Sequence, residues 1–220
     1  MSGNGGAVLA RVRRALATAR LPRPAGPTKA VTPEFPDLLE AFRTALEALG
    51  GRVHVPRAEE ALGVVVERVS AVGGGALSWA VDELPLAGLG PALREAGVEL
   101  ADAEVPAARE ARAERLVALG RAAVGLTGAV AGIAETGSLV LASGPGRPRL
   151  AWLLPPHHVA LLPRGRILPT LEAVLAAHLG PWERSAEVAF VSGPSRSADI
   201  ELTLTRGVHG PGELDVVIVP

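Results

Sequence analysis

No cysteine occurs among the 220 residues. The chain therefore carries no disulfide staple, thiolate zinc site, cysteine nucleophile or all-cysteine iron–sulfur cluster of its own. Tyrosine is also absent, and aromatics make up only 3% of the sequence, too few stacking platforms for single-stranded nucleic acid. A formal net charge of −1 offers no general attraction to phosphate backbones. Lys29 is the only lysine, and its Pro-rich surroundings make it a poor Schiff-base former. No run approaches the roughly 20 uninterrupted apolar residues that span a bilayer. The Arg13-Arg14 pair is followed by neither an adequate apolar stretch nor a small-residue cleavage site. These absences lead to the expectation of a cytoplasmic protein with no membrane span and no nucleic-acid partner.

What is present is apolar and well punctuated. Hydrophobic residues make up 48% of the chain, which excludes a disordered polymer despite 26 Gly and 19 Pro. A chain of this length buries roughly 70% of its unfolded surface on folding, enough for a self-sufficient core. Val8, Leu9, Val12 and Leu16 recur at helical spacing, and Pro22, Pro24, Pro27, Pro33 and Pro36 follow. Residues 1–35 thus read as a helical arm with a Pro-rich linker, and 36–220 as one α/β domain. In that domain Leu38, Leu39, Phe42, Leu46 and Leu49 share a helical face that Gly50-Gly51 ends. Helices are also expected at 62–69, 89–96 and 107–119, and strands at 52–55, 76–81 and 98–100.

The second half changes character. Residues 122–126, 138–142, 150–154, 159–162, 188–191 and 214–219 are short apolar runs bounded by Gly, Pro or polar residues, as in strands buried on both faces. Only 171–179 and 200–204 read as helices. The alternation implies a three-layer α/β fold: a mixed sheet with helices on both faces.

Two segments hold the chemistry. In the first, Thr127 to Ser138, a small and flexible Gly/Ala loop carries one carboxylate, Glu135. At a strand end such a group is either catalytic or the solvent-facing residue of a hairpin turn. The second, Ser192-Gly193-Pro194-Ser195-Arg196-Ser197, reads as a loop between a strand and a helix start. Helix-terminal amides, hydroxyls and one Arg are the parts of an anion site, while Asp199 and Glu201 would compete for the same positive end. His209, in the turn before the last strand, is either a general acid/base near neutral pH or a hydrogen-bonded turn residue. His157 and His158, adjacent on a strand, face opposite sides and cannot easily share a metal. No Walker A, Gly-x-Gly-x-x-Gly, Gly-x-Ser-x-Gly or His-Glu-x-x-His pattern is present. No cofactor is expected on this chain.

The string Gly132-Ile133-Ala134-Glu135-Thr136-Gly137-Ser138-Leu139-Val140 resembles the signature of the LUD domain family. The segment from Ser192 to Glu201 and the ending Gly207-Val208-His209-Gly210-Pro211-Gly212-Glu213-Leu214 are similar to its later motifs, in the same order. The resemblance implies the α/β architecture of glucosamine-phosphate deaminases, ribose-phosphate isomerases and CoA transferases. It also implies a role in oxidising L-lactate to pyruvate beside two partner proteins that carry iron–sulfur clusters. On that basis Glu135 and His209 are candidate catalytic groups, and Thr136, Gly137, Ser192, Gly193, Ser195, Arg196 and Ser197 candidate contacts for a small carboxylate or other anion. The alternative is a stand-alone enzyme, CoA-transferase-like or sugar-phosphate-isomerase-like, in which Glu135 resembles the acidic loop residue that acts as nucleophile.

Overall fold

The computed structural model describes residues 5–18, 33–103, 105–177, 185–197 and 205–220. The chain divides into two units, Met1–Val31 and Thr32–Pro220. In the first, helix α1 (Gly5–Thr18) carries the Val8, Leu9, Val12, Leu16 stripe.

The second unit opens with α2 (Leu38–Ala48). Asp37 caps it, its carboxylate accepting from the amides of Leu39 at 2.8 Å and Glu40 at 3.2 Å, while Phe42 and Leu46 are buried. Alternation follows: β1 (Arg52–His54), α3 (Ala61–Val72), β2 (Ala76–Ser78), α4 (Leu89–Glu95), β3 (Leu100–Asp102), α5 (Arg109–Leu119) and β4 (Val124–Gly128). The hairpin of β5 (Ala131–Ile133) and β6 (Ser138–Ala142) precedes α6 (Leu150–Leu153), β7 (His157–Pro163), β8 (Ile167–Leu168) and α7 (Leu171–Ala177). The described chain continues with β9 (Val188–Val191), the two-residue strands β10 (Arg196–Ser197) and β11 (Thr205–Arg206), and β12 (Glu213–Val219).

Six strands form an all-parallel sheet in the order β1-β12-β7-β4-β2-β3. Every residue of β4 is buried, as are six of the seven in β12, the near-continuous apolar pattern of strands covered on both faces. A four-stranded sheet in the order β8-β5-β6-β9 mixes parallel and antiparallel pairs. The arrangement is the three-layer α/β fold, with the mixed pairing confined to the smaller sheet. β10 and β11 form a separate antiparallel pair.

Two expectations are corrected. The run at 150–154 is the helix α6, not a strand. Pro148 and Pro155-Pro156 bracket it, and it buries Ala151 and Trp152 while Leu153 and Leu154 stay 39% exposed. Arg196 and Ser197 pair with β11 as a strand, so the loop after β9 does not lead directly into a helix. The helix expected at 200–204 lies outside the described residues. Elsewhere β6 and β9 coincide with the expected runs at 138–142 and 188–191.

α6 crosses β4 at Gly125, where a Cβ would overlap the carbonyl oxygen of Ala151. Only a residue without a side chain lets the two backbones meet there. Gly125→Ala is accordingly expected to lower stability by about 1–3 kcal/mol, read as a reduced urea midpoint at unchanged m-value.

Candidate functional site

The segments singled out from sequence converge through backbone hydrogen bonds. The amide of Ser195 donates to the Pro211 carbonyl at 2.8 Å, and that of Gly207 to the Ser195 carbonyl at 3.0 Å, which fastens the turn before β12 to the 192–197 loop. The Gly212 amide reaches the Pro156 carbonyl at 2.9 Å and ties the same turn to the start of β7. β6 pairs with β9 so that Leu139 stands opposite Val191, which brings the Glu135 turn beside the Ser192 loop. Ser138 Oγ lies 2.7 Å from Thr136 Oγ1 and 2.6 Å from Ser192 Oγ, a three-hydroxyl chain across that junction. The two loops therefore sit at one edge of the smaller sheet.

A cavity of about 470 Å³ opens under the Ser192 loop. Its walls include Trp152, His158, Phe190, Ser192, Arg196 and Pro211, with Gly193 and Ser195 also lining it. Arg196 is exposed, and its guanidinium donates to the Leu49 carbonyl at the cavity wall. Glu135 does not line this cavity. It is exposed in the tight turn between β5 and β6, its amide donating to the Pro169 carbonyl at 3.1 Å. Gly137 completes that turn at φ +63, with its backbone packed so closely on α2 that a Cβ would overlap the Leu46 amide. Thr136 is exposed and hydroxyl-bonded, and Ser197 is placed by the β10–β11 pair. His209 is exposed on the turn whose neighbours Gly210 and Pro211 line the cavity.

His157 and His158 do face opposite sides of the sheet. His158 is 1% exposed, and its Nε2 lies 2.9 Å from Thr127 Oγ1. Burial, reinforced by the charge of His157, pushes its pKa down to about 3, so the ring at the cavity floor is neutral.

On the other face lies a cluster that sequence reasoning missed. Asp215 is buried and accepts four hydrogen bonds. Arg52 binds it bidentately, Nε to Oδ1 and Nη2 to Oδ2, both at 2.8 Å. His54 Nε2 donates to Oδ1 at 2.6 Å and His157 Nε2 to Oδ2. Arg52 Nη2 also reaches Glu213 Oε2 at 2.8 Å. Burial alone would raise the Asp215 pKa, but the donors from Arg52, His157 and His54 outweigh it and hold the carboxyl far below the usual range. The available signal was the alternation Arg52-x-His54 and Glu213-x-Asp215, which puts each pair on one strand face. Among the described residues no group of His, Asp and Glu is arranged to hold a metal ion. At Asp215 the guanidinium takes up much of the carboxylate's acceptor capacity.

The comparisons with known proteins agree with this architecture. The sequence profile of the LUD domain family matches residues 39–219, and the chain belongs to that family. It is 35% identical over 170 residues to a protein of Halalkalibacterium halodurans named lactate utilization protein C, covering 75% of this chain and 70% of that one. A Geobacillus thermodenitrificans protein of the same name is 30% identical over 196 residues, covering 83% and 78%. A crystal structure of a DUF162 family protein from Deinococcus radiodurans has the same fold, with a TM-score of 0.59, 21% identity, and coverage of 83% of this chain and 96% of that one.

Two outcomes follow from the two sheet faces. Asp215→Asn removes the charge and turns one of the two acceptor oxygens of a buried, charge-assisted network into a donor. It is expected to cost about 3 kcal/mol by urea denaturation, the low end for breaking a buried pair, because Arg52 remains half-exposed and keeps Glu213. The second concerns pH. The unfolded chain protonates His158 near pH 6.5, whereas the folded chain resists until about pH 3. The unfolded state thus binds the extra proton in that window, and stability falls as pH drops from 6.5 towards 3. Asp215 acts in the same direction below about pH 4, where its unfolded carboxyl protonates first. His158→Gln is expected to flatten the dependence of the urea midpoint between about pH 5 and 6.5.

Proposed function

We propose that this chain is the cluster-free subunit of an iron–sulfur system that oxidises L-lactate to pyruvate. In this reading it binds a small carboxylate or other anion and organises the complex with cluster-bearing partners. Family membership together with the name shared by its relatives, lactate utilization protein C, supports involvement in lactate utilisation. Lactate oxidation releases two electrons and two protons. A chain without cysteine offers no thiolates to assemble a cluster, so the electron acceptor is assigned to the partners.

The convergence of the 136–138, 192–197 and 207–212 segments is the observation that supports this reading of the chain's own contribution. Arg196 supplies positive charge and Ser192 and Ser195 supply hydroxyls. Gly193, Ser197, Thr136 and Gly137 shape the edge on which an anion docks, beside Glu135 and His209. Glu135 lies outside the cavity lining and is exposed, so nothing in the geometry favours a stand-alone CoA-transferase-like or isomerase-like enzyme built on it. In this reading the two loops act together only when a partner or ligand covers that edge.

The test is reconstitution with the iron–sulfur proteins of the same host, following pyruvate formation from L-lactate. Partners plus this chain are expected to turn over, and this chain alone is not. Arg196→Ala and Glu135→Gln are expected to lower the assembled rate at least tenfold (about 1.4 kcal/mol) while leaving thermal stability within about 1 kcal/mol. Turnover by the isolated chain, or an unchanged rate when it is omitted, would overturn the proposal.

A further inference from the structure

The parallel sheet has a topological switch point that the site above does not use. From β2 the chain leaves through α4 towards β3, whereas from β4 it proceeds to β7 on the other side. The loops after β2 and β4, neighbours in the sheet, therefore diverge and leave a crevice at the carboxyl ends of the strands, the general location of ligands in open α/β sheets. A cleft of about 330 Å³ occupies this place.

Four charged side chains of both signs line it. Asp82 and Glu83 come from the turn after β2, Arg147 from the loop after β6, and Arg166 from the turn after β7. Trp79 forms the wall, and the Arg147 guanidinium carbon stands 6.0 Å from the centre of its ring. Gly128 at the end of β4 lets this wall close in. A Cβ there would lie 3.0 Å from Pro85 Cδ and 3.3 Å from the Trp79 ring. Arg147 Nε is 3.7 Å from Glu83 Oε2, an ion pair outside hydrogen-bonding range. Among the described residues neither Arg147 Nε nor Trp79 Nε1 has an acceptor, although both are buried. Arg166 Nη1 is 3.5 Å from the Val130 carbonyl oxygen and is otherwise open to the cleft. The cleft thus holds two cations with unused donor capacity beside two carboxylates.

We infer that this cleft binds a small 2-hydroxycarboxylate, whose carboxylate lies between Arg147 and Arg166 and whose hydroxyl donates to Glu83 or Asp82. A simple carboxylate leaves the acidic pair without a donor. A phosphate dianion, carrying more negative charge, is repelled by the same pair. The choice of L-lactate as probe rests on the proposed function; the ligand class rests on the cleft.

The experiment is calorimetric titration of the full chain with L-lactate, propionate and inorganic phosphate, with tryptophan emission as a second readout because Trp79 forms the wall. L-lactate is expected to bind saturably and to perturb emission. Propionate, lacking the hydroxyl, is expected to bind about fivefold more weakly, and phosphate more weakly still. Arg166→Ala, at an exposed position, is expected to weaken L-lactate binding by about tenfold or more. Arg164→Ala, two residues away and outside the cleft, leaves it unchanged. Equal binding of propionate, tighter binding of phosphate, or no saturable binding of L-lactate would overturn the inference. Loss of binding in Arg196→Ala with retention in Arg166→Ala would also overturn it, and would leave the proposed function standing with its anion at the Ser192 loop. Conversely, L-lactate binding that depends on Arg166, in a chain the reconstituted system does not need, would uphold the cleft and overturn the proposed function.

Discussion

The parallel ladder between β7 and β12 is the constraint on which the rest of the molecule depends. Seven consecutive residue pairs, from His157 with Glu213 to Pro163 with Val219, join two segments far apart in sequence. Because side chains alternate along a strand, this one register decides the content of both sheet faces. It sets His157 beside Asp215 on one face and His158 beside Leu214 on the other. A slip of β12 by one residue would turn Asp215 to the opposite face, away from Arg52, His54 and His157. The Gly212–Pro156 hydrogen bond just ahead of the ladder carries the same register into the turn that holds Ser195.

Those two faces resolve the polar cost of the sheet in different ways. Asp215 stays charged inside the protein because four donors replace its water. His158 has one hydroxyl partner and stays neutral. A buried carboxylate with one donor, or a buried imidazolium, would cost several kcal/mol. Both solutions fail in acid, through opposite chemistry: the first loses its charge and the second resists gaining one.

Elements with a strong period and firm punctuation were legible in the sequence. β6 and β9 are short apolar runs closed by Gly or polar residues, and α2 has a single apolar stripe and terminal glycines. Leu150 to Leu153 misled because an apolar run of four has no period of its own, and only the contact with Gly125 reveals a helix crossing β4. The Arg196-Ser197 step misled because serines suit a helix cap and a strand end alike. The family motifs were visible as strings, and the hydroxyl chain from Thr136 to Ser192 gives them a physical meeting point. The Asp215 cluster was hidden because its members come from three strands whose order the sequence does not state. The switch-point cleft was hidden for the same reason, since it exists only once β2 and β4 are known to be neighbours.

The position of β1 has a consequence for how the chain folds. Among the described residues β1 is an edge strand paired in the sheet with β12 alone, and Arg52 meets Asp215, 163 positions further along the chain. An early-made strand must therefore wait, with its Val53 uncovered, until nearly all the remaining sequence is available. Closing so long a loop is entropically slow, and a sheet finished by its most remote pairing folds late and cooperatively. The salt-bridged end of β1 is thus a seam of high contact order, and until it closes β1 presents an unpaired strand edge.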